Sequence, residues 1–124
     1  TGGKETILLA EDDFSVRKFI RVLLEGVGYT VIEAGDGEEA LNAFVEHKDV
    51  IKMLILDIMM PKKNGKEVFE NIRELNPQVK ALFISGYTSD IVHQQKIVED
   101  GFDVISKPVS SIKLLAKVRE ILEK

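Results

Sequence analysis

Four consecutive apolar residues, Met53-Leu54-Ile55-Leu56, run directly into an aspartate, Asp57. A half-buried strand alternates apolar and polar residues, and this segment offers no polar face. Such a strand is stable where both faces are covered, as in a parallel sheet layered between helices. Ile7-Leu8-Leu9-Ala10 and Lys80-Ala81-Leu82-Phe83-Ile84 have the same character. Residues 29–34, with the β-branched Thr30, Val31 and Ile32, and residues 102–105 complete a set of five strands.

Helical patterns separate these runs. Val16, Ile20, Leu23, Leu24 and Val27 recur at three- and four-residue steps, and Gly26 and Gly28 end that helix. Residues 38–47 are helical around Leu41 and Phe44, and Asp36 between two glycines is a turn or helix cap. Asn64, with Glu67 three residues on, reads as a capping box that opens a helix through Val68, Phe69, Ile72 and Leu75. Residues 88–100 form a more polar helix. The last helix follows Ser110-Ser111 and carries Leu114, Leu115, Val118, Ile121 and Leu122. Five strands alternating with five helices predict an α/β fold, a three-layer sandwich with helices on both faces of a parallel sheet. Period does not fix the strand order. A flavodoxin-like (βα)5 order, 2-1-3-4-5, would put the ends of strands one and three at the switch point where such sheets bind ligands.

Composition narrows the chemistry. The 124 residues suit one domain, read as residues 5–124, with residues 1–4 as a linker. The absence of cysteine excludes disulfides, thiolate metal sites and a cysteine nucleophile, and suits the cytoplasm. A net charge of −4 argues against nucleic-acid contact by this domain. No apolar run approaches the ~18 residues of a membrane span, so no membrane contact is expected.

Four polar features fall at the ends of predicted strands: Glu11-Asp12-Asp13, Asp57, Ser85 and Lys107. Taken singly each has a plain role: helix-dipole complement, cap, turn residue, solvated lysine. Those roles do not explain four such features at the ends of four different strands, where a parallel sheet gathers them into one crevice. His47 and His93 have no partner at metal-ligand spacing and are read as surface residues.

In that crevice Asp12, Asp13 and Asp57 would repel one another, by roughly 4 kcal/mol for two charges ~4 Å apart at an intermediate dielectric. A hard cation would screen them, and Mg²⁺ suits carboxylate oxygens and leaves positions for a phosphate oxygen. A carboxylate can attack phosphorus to form an aspartyl-phosphate, with Lys107 and Ser85 meeting the phosphoryl oxygens.

At these residues the sequence resembles response-regulator receiver domains, from about Glu5 to the end. Leu8-Leu9-Ala10-Glu11-Asp12-Asp13 resembles the family's first strand and acidic pair. Leu56-Asp57-Ile58-Met59-Met60-Pro61, with Gly65 eight residues after Asp57, resembles the phosphorylation segment. Ile84-Ser85-Gly86-Tyr87 resembles the switch-hydroxyl segment, and Ser106-Lys107-Pro108 the lysine segment. The resemblance implies Asp57 as phospho-acceptor, and Asp12, Asp13, Asp57 and the backbone carbonyl of Met59 as Mg²⁺ ligands. It implies Ser85 and Lys107 as phosphoryl-binding groups, a cis Lys107-Pro108 bond, and Glu11 as a modulating neighbour. The donor would be a histidine kinase or histidine phosphotransfer domain, and the output face helix four, strand five and helix five. A phosphorylation-dependent homodimer is compatible with it, as is a place at the C-terminal end of a hybrid sensor histidine kinase.

One departure is visible. Many members carry an aromatic residue three positions before the lysine; here that position is Val104, and Phe102 lies two residues earlier. The resemblance therefore does not extend to the aromatic part of the switch. Tyr87 is expected to shield the site from water and slow phosphate loss. Three other readings compete. A receiver-fold interaction module without phosphate chemistry would need a broken site. A flavodoxin-like cofactor binder would want a phosphate loop where Glu11-Asp12-Asp13 stands. A Mg²⁺-dependent carboxyl-phosphate phosphatase would want a second acid where Met59 stands.

Overall fold

The computed structural model describes residues 2–86 and 91–124. The elements alternate as β1 (Thr6–Ala10), α1 (Phe14–Gly26), β2 (Thr30–Ala34), α2 (Gly37–His47) and β3 (Ile51–Asp57). They continue as α3 (Gly65–Leu75), β4 (Lys80–Ser85), α4 (Ile91–Glu99), β5 (Asp103–Ser106) and α5 (Ser111–Leu122). The sheet is five-stranded in the order β2-β1-β3-β4-β5, and every pairing is parallel. The flavodoxin-like order expected from the sequence is the order found. No helix among the described residues is long and apolar enough to cross a membrane.

Residue parity divides the core. Ile7 and Leu9 of β1, Met53 and Ile55 of β3, Leu82 and Ile84 of β4 and Ile105 of β5 pack with Ile20 and Leu24 of α1 and Leu114 and Val118 of α5. Leu8, Ala10, Leu54, Leu56, Ala81 and Phe83 face the opposite way, onto Phe44 of α2, Phe69 and Ile72 of α3 and Ile97 of α4. Fully burying each large side chain contributes about 1.5–3 kcal/mol, which makes this two-sided layer the main stabilising feature.

The helix starts follow local chemistry. Asp13 caps α1 by accepting from the Val16 N–H at 3.1 Å, and Asp36 caps α2 by accepting from the Glu39 N–H at 2.8 Å. Asn64 and Glu67 form the reciprocal capping box at α3. Ser110 caps α5.

Two strands begin one residue later than the sequence pattern suggests, for the same reason. The Tyr29 N–H donates to Leu24 O and the Phe102 N–H to Ile97 O, five residues back in each case. Gly28 and Gly101 adopt φ +105° and +92° and donate three residues back. This is the hydrogen-bond pattern of a Schellman helix ending, which needs a left-handed residue. Tyr29 and Phe102 are thereby spent on closing α1 and α4, and β2 and β5 start after them.

Candidate functional site

The parity of the strands sets the site. Glu11, Asp57 and Lys107 continue the rows Ile7-Leu9, Met53-Ile55 and Ile105, all on the α1/α5 side of the sheet. At the C-terminal rim these rows run out of apolar neighbours and present charged groups instead. Lys107 Nζ lies 2.9 Å from Glu11 Oε1 and 3.3 Å from Asp57 Oδ2. Glu11 is completely buried and Asp57 nearly so, at 3% exposure.

The electrostatics follow from that burial. Removal from water pushes the Glu11 carboxyl up, to about 8, and the neighbouring Asp57 carboxyl adds to the rise. Asp57 is also raised, again by burial, against the opposing pull of its hydrogen bonds and the Lys107 charge. Burial works against the Lys107 ammonium, but the two carboxyls outweigh it and its pKa is raised. One ammonium thus faces two buried carboxyls. Glu11 Oε1 makes no hydrogen bond of good geometry, although it touches that ammonium.

Asp12 stands exposed at the mouth, and carboxylate oxygens of Glu11, Asp12 and Asp57 all lie within 4.8 Å of one another. Three oxygen donors with no nitrogen or sulfur suit a hard divalent cation, and the single ammonium leaves charge for it to neutralise. The residues present therefore fit Mg²⁺. The acidic triplet divides differently from the expectation that Asp12 and Asp13 act with Asp57. The structure gathers Glu11 in place of Asp13, whose carboxylate is engaged in capping α1. The reason is local. Glu11 still follows the strand's alternation into the crevice, whereas Asp13 sits beyond the strand where the helix needs an acceptor for its first N–H groups.

The remaining site residues occupy the rim. The Met59 N–H reaches Asp57 Oδ1 at 3.4 Å, and Met59 itself is substantially exposed. Ser85 belongs to the other row, Ala81-Phe83, and is buried; its hydroxyl donates to Gln94 Oε1 of α4 at 2.9 Å. The Lys107-Pro108 peptide bond is cis, and the Lys107 N–H donates to Ser85 O at 2.8 Å. Val104 packs against the cluster on the α2–α4 side. Phe102 is enclosed by Phe69 and Phe83, with ring centroids at 4.7 and 6.0 Å and edge-to-face geometry. Tyr87, with the shielding role expected of it, lies outside the described residues.

Several supporting residues escaped the sequence reading. Arg17 Nη1 donates to Glu11 O at 2.7 Å while its Nε pairs with Glu33 at 3.2 Å, which fixes the backbone that carries the acids. Its one sequence hint is its place four residues after the α1 cap. A Cβ at Gly86 would press on the Lys107 side chain at 3.2–3.6 Å, so the small residue gives the lysine its path. Gln94 gave no signal, nine residues from its partner.

Known proteins resemble this chain in sequence and in fold. The response regulator receiver domain family matches residues 7–119. The sensor kinase CckA of Brucella abortus is 34% identical over 98% of this chain, which spans 13% of that protein's length. The probable transcriptional regulator ycf27 of Guillardia theta is 37% identical over 98% of the chain, which spans 46% of that regulator. Among solved structures, a CheX-CheY-BeF3-Mg²⁺ complex from Borrelia burgdorferi superposes with a TM-score of 0.85 at 26% identity, covering 97% of this chain and 90% of that one. With a matching family profile across most of its length, the relatives' identity and the parallel 2-1-3-4-5 sheet behind an acidic rim, the chain belongs to the response regulator receiver domain family.

Proposed function

We propose that this domain accepts a phosphoryl group on Asp57 and uses it to change the surface built by α4, β5 and α5. The observation that carries the reading is the buried Asp57 carboxylate held between the Lys107 ammonium and the acids that follow β1, Glu11 and Asp12. A structural ion pair would not need two further carboxylates beside it. The donor is a phosphohistidine on a histidine kinase or histidine phosphotransfer domain. An Asp57 oxygen forms the bond to phosphorus, the donor's P–N bond breaks, and its electron pair returns to the imidazole ring. Lys107 holds Asp57 in place and then pairs with a phosphoryl oxygen. Ser85 donates its hydroxyl to another.

Glu11, Asp12, Asp57 and the Met59 carbonyl are the proposed Mg²⁺ ligands. Bound there, the ion supplies neutralising charge for the donor and acceptor oxygens. The Borrelia burgdorferi complex named above, which contains BeF3 and Mg²⁺, supports this assignment by its likeness in fold. We place the domain in the cytoplasm, where such donors act.

Intact-mass spectrometry after incubation with a small acyl phosphate tests the reading. The wild type should gain one phosphoryl group when Mg²⁺ is present and none without it. Asp57→Asn should gain none. A metal-independent gain, or a gain that survives Asp57→Asn, overturns it.

A further inference from the structure

The two rows of the sheet send their last residues to different places. Asp57 and Lys107 end the row facing α1 and α5, whereas Ser85 ends the row Ala81-Phe83 that faces α4. On that side the Ser85 hydroxyl donates to Gln94 Oε1 at 2.9 Å, and the contact is partly shielded from water. We propose that Gln94 is the resting acceptor of the Ser85 hydroxyl, a positioning residue that keeps α4 docked until a phosphoryl oxygen on Asp57 takes the hydroxyl away. This rests on the phosphoacceptor reading above and adds to it the route by which α4 is released.

The argument is one of competition. A serine hydroxyl has a single proton to donate. An amide carbonyl is a neutral acceptor, and an anionic phosphoryl oxygen binds the same proton roughly twice as strongly. Phosphorylation therefore exchanges one bond for the other, and α4 loses the one it had. The loss matters because α4 is thinly held. Among its described side chains Ile97 is buried, while Val98 is about half exposed. Among the described residues no ring is placed to carry the signal instead, since position 104 is valine and Phe102 is enclosed by Phe69 and Phe83.

Hydrogen exchange read by mass spectrometry over residues 91–99 tests the proposal, with and without acyl phosphate and Mg²⁺, and with intact mass taken on the same samples. In the wild type, phosphorylation should accelerate exchange in α4. Gln94→Ala should already exchange about fivefold faster at rest, the scale of one neutral hydrogen bond, and gain little more on phosphorylation. Gln94→Glu, which keeps an acceptor, should restore the resting protection and blunt the phosphorylation response. Ser85→Ala reads the same bond from its other end. It should match Gln94→Ala at rest, and the double variant should go no further, as expected for two residues of one contact. Urea midpoints identify any variant that loosens the whole fold, and the comparison then rests on the other one. Resting exchange in Gln94→Ala equal to wild type overturns the proposal. An undiminished phosphorylation response, or additive effects in the double variant, also overturns it. A wild type that gains no phosphoryl mass would sink the phosphoacceptor reading instead, and the resting comparison would still decide whether the latch exists.

Discussion

No side chain fits at Gly65 without meeting the carbonyl oxygen of Asp57. The first residue of α3 lies against the end of β3, and a Cβ built at Gly65 would overlap that oxygen and crowd Ile58 Cα at 3.2 Å. The Gly65 N–H also donates to Ile58 O at 2.9 Å, so the two segments are joined as well as close. The carboxylate proposed to react is thus aimed by a backbone packed on a glycine.

Gly65→Ala should destabilise the domain and slow its phosphorylation. Alanine favours the helix by about 0.5–1 kcal/mol. Forcing a methyl into backbone costs about 1–3 kcal/mol, which wins. Urea unfolding should show a net loss of about 1–2 kcal/mol. The phosphorylation rate should fall further than an equally destabilising change elsewhere, such as Ile121→Val.

The metal-free protein should lose stability as pH rises from about 4.5 to about 8. Burial holds Glu11 up to about 8 in the fold, from an ordinary value of 4.5. Between those values the folded state binds more protons than the unfolded one, so stability falls with increasing pH. Thermal melting across this range should show the decline, Glu11→Gln should flatten it, and Mg²⁺ should reduce it by displacing the proton.

Lys107→Ala should leave Asp57 modifiable yet slower to react. Without the ammonium, burial of both carboxyls is opposed less, by their remaining hydrogen bonds alone, and their protonated forms gain ground. The pH–rate profile for modification by an acyl phosphate should move to higher pH, while the final mass gain stays at one phosphoryl group. An unshifted profile would show that Lys107 does not set the charge state of Asp57.

Glu5→Gln should weaken the domain at neutral pH and leave it unchanged in strong acid. The Arg119 hydrogen bond holds the Glu5 carboxyl at about 2, below its ordinary value of 4.5. Its contribution is present above about 4.5 and is lost as pH falls toward 2. The pair is partly solvated, so the difference in urea unfolding should be about 0.5–1 kcal/mol at pH 7.

The fold was legible because its signals are local. An all-apolar Met53–Leu56 requires cover on both faces, and the Asn64–Glu67 box marks a helix start by chemistry within four residues. The same double burial hid the phase of each strand. With Ile7 to Ala10 apolar throughout, nothing in the sequence says which of Glu11, Asp12 and Asp13 turns inward, and the rows facing α1 and α5 decide it. The Schellman endings at Gly28 and Gly101 claimed Tyr29 and Phe102, residues whose own preference is for strand. The Ser85–Gln94 bond depends on how α4 lies over the sheet, which no spacing encodes.

The trio of Phe69, Phe83 and Phe102 ties α3, β4 and the approach to β5 through edge-to-face contacts that leave no ring free to swing alone. That corner behaves as a keystone. Under the proposed function, a disturbance arriving from the rim would have to go around it, by sliding a whole helix, since position 104 is valine and supplies no rotating ring.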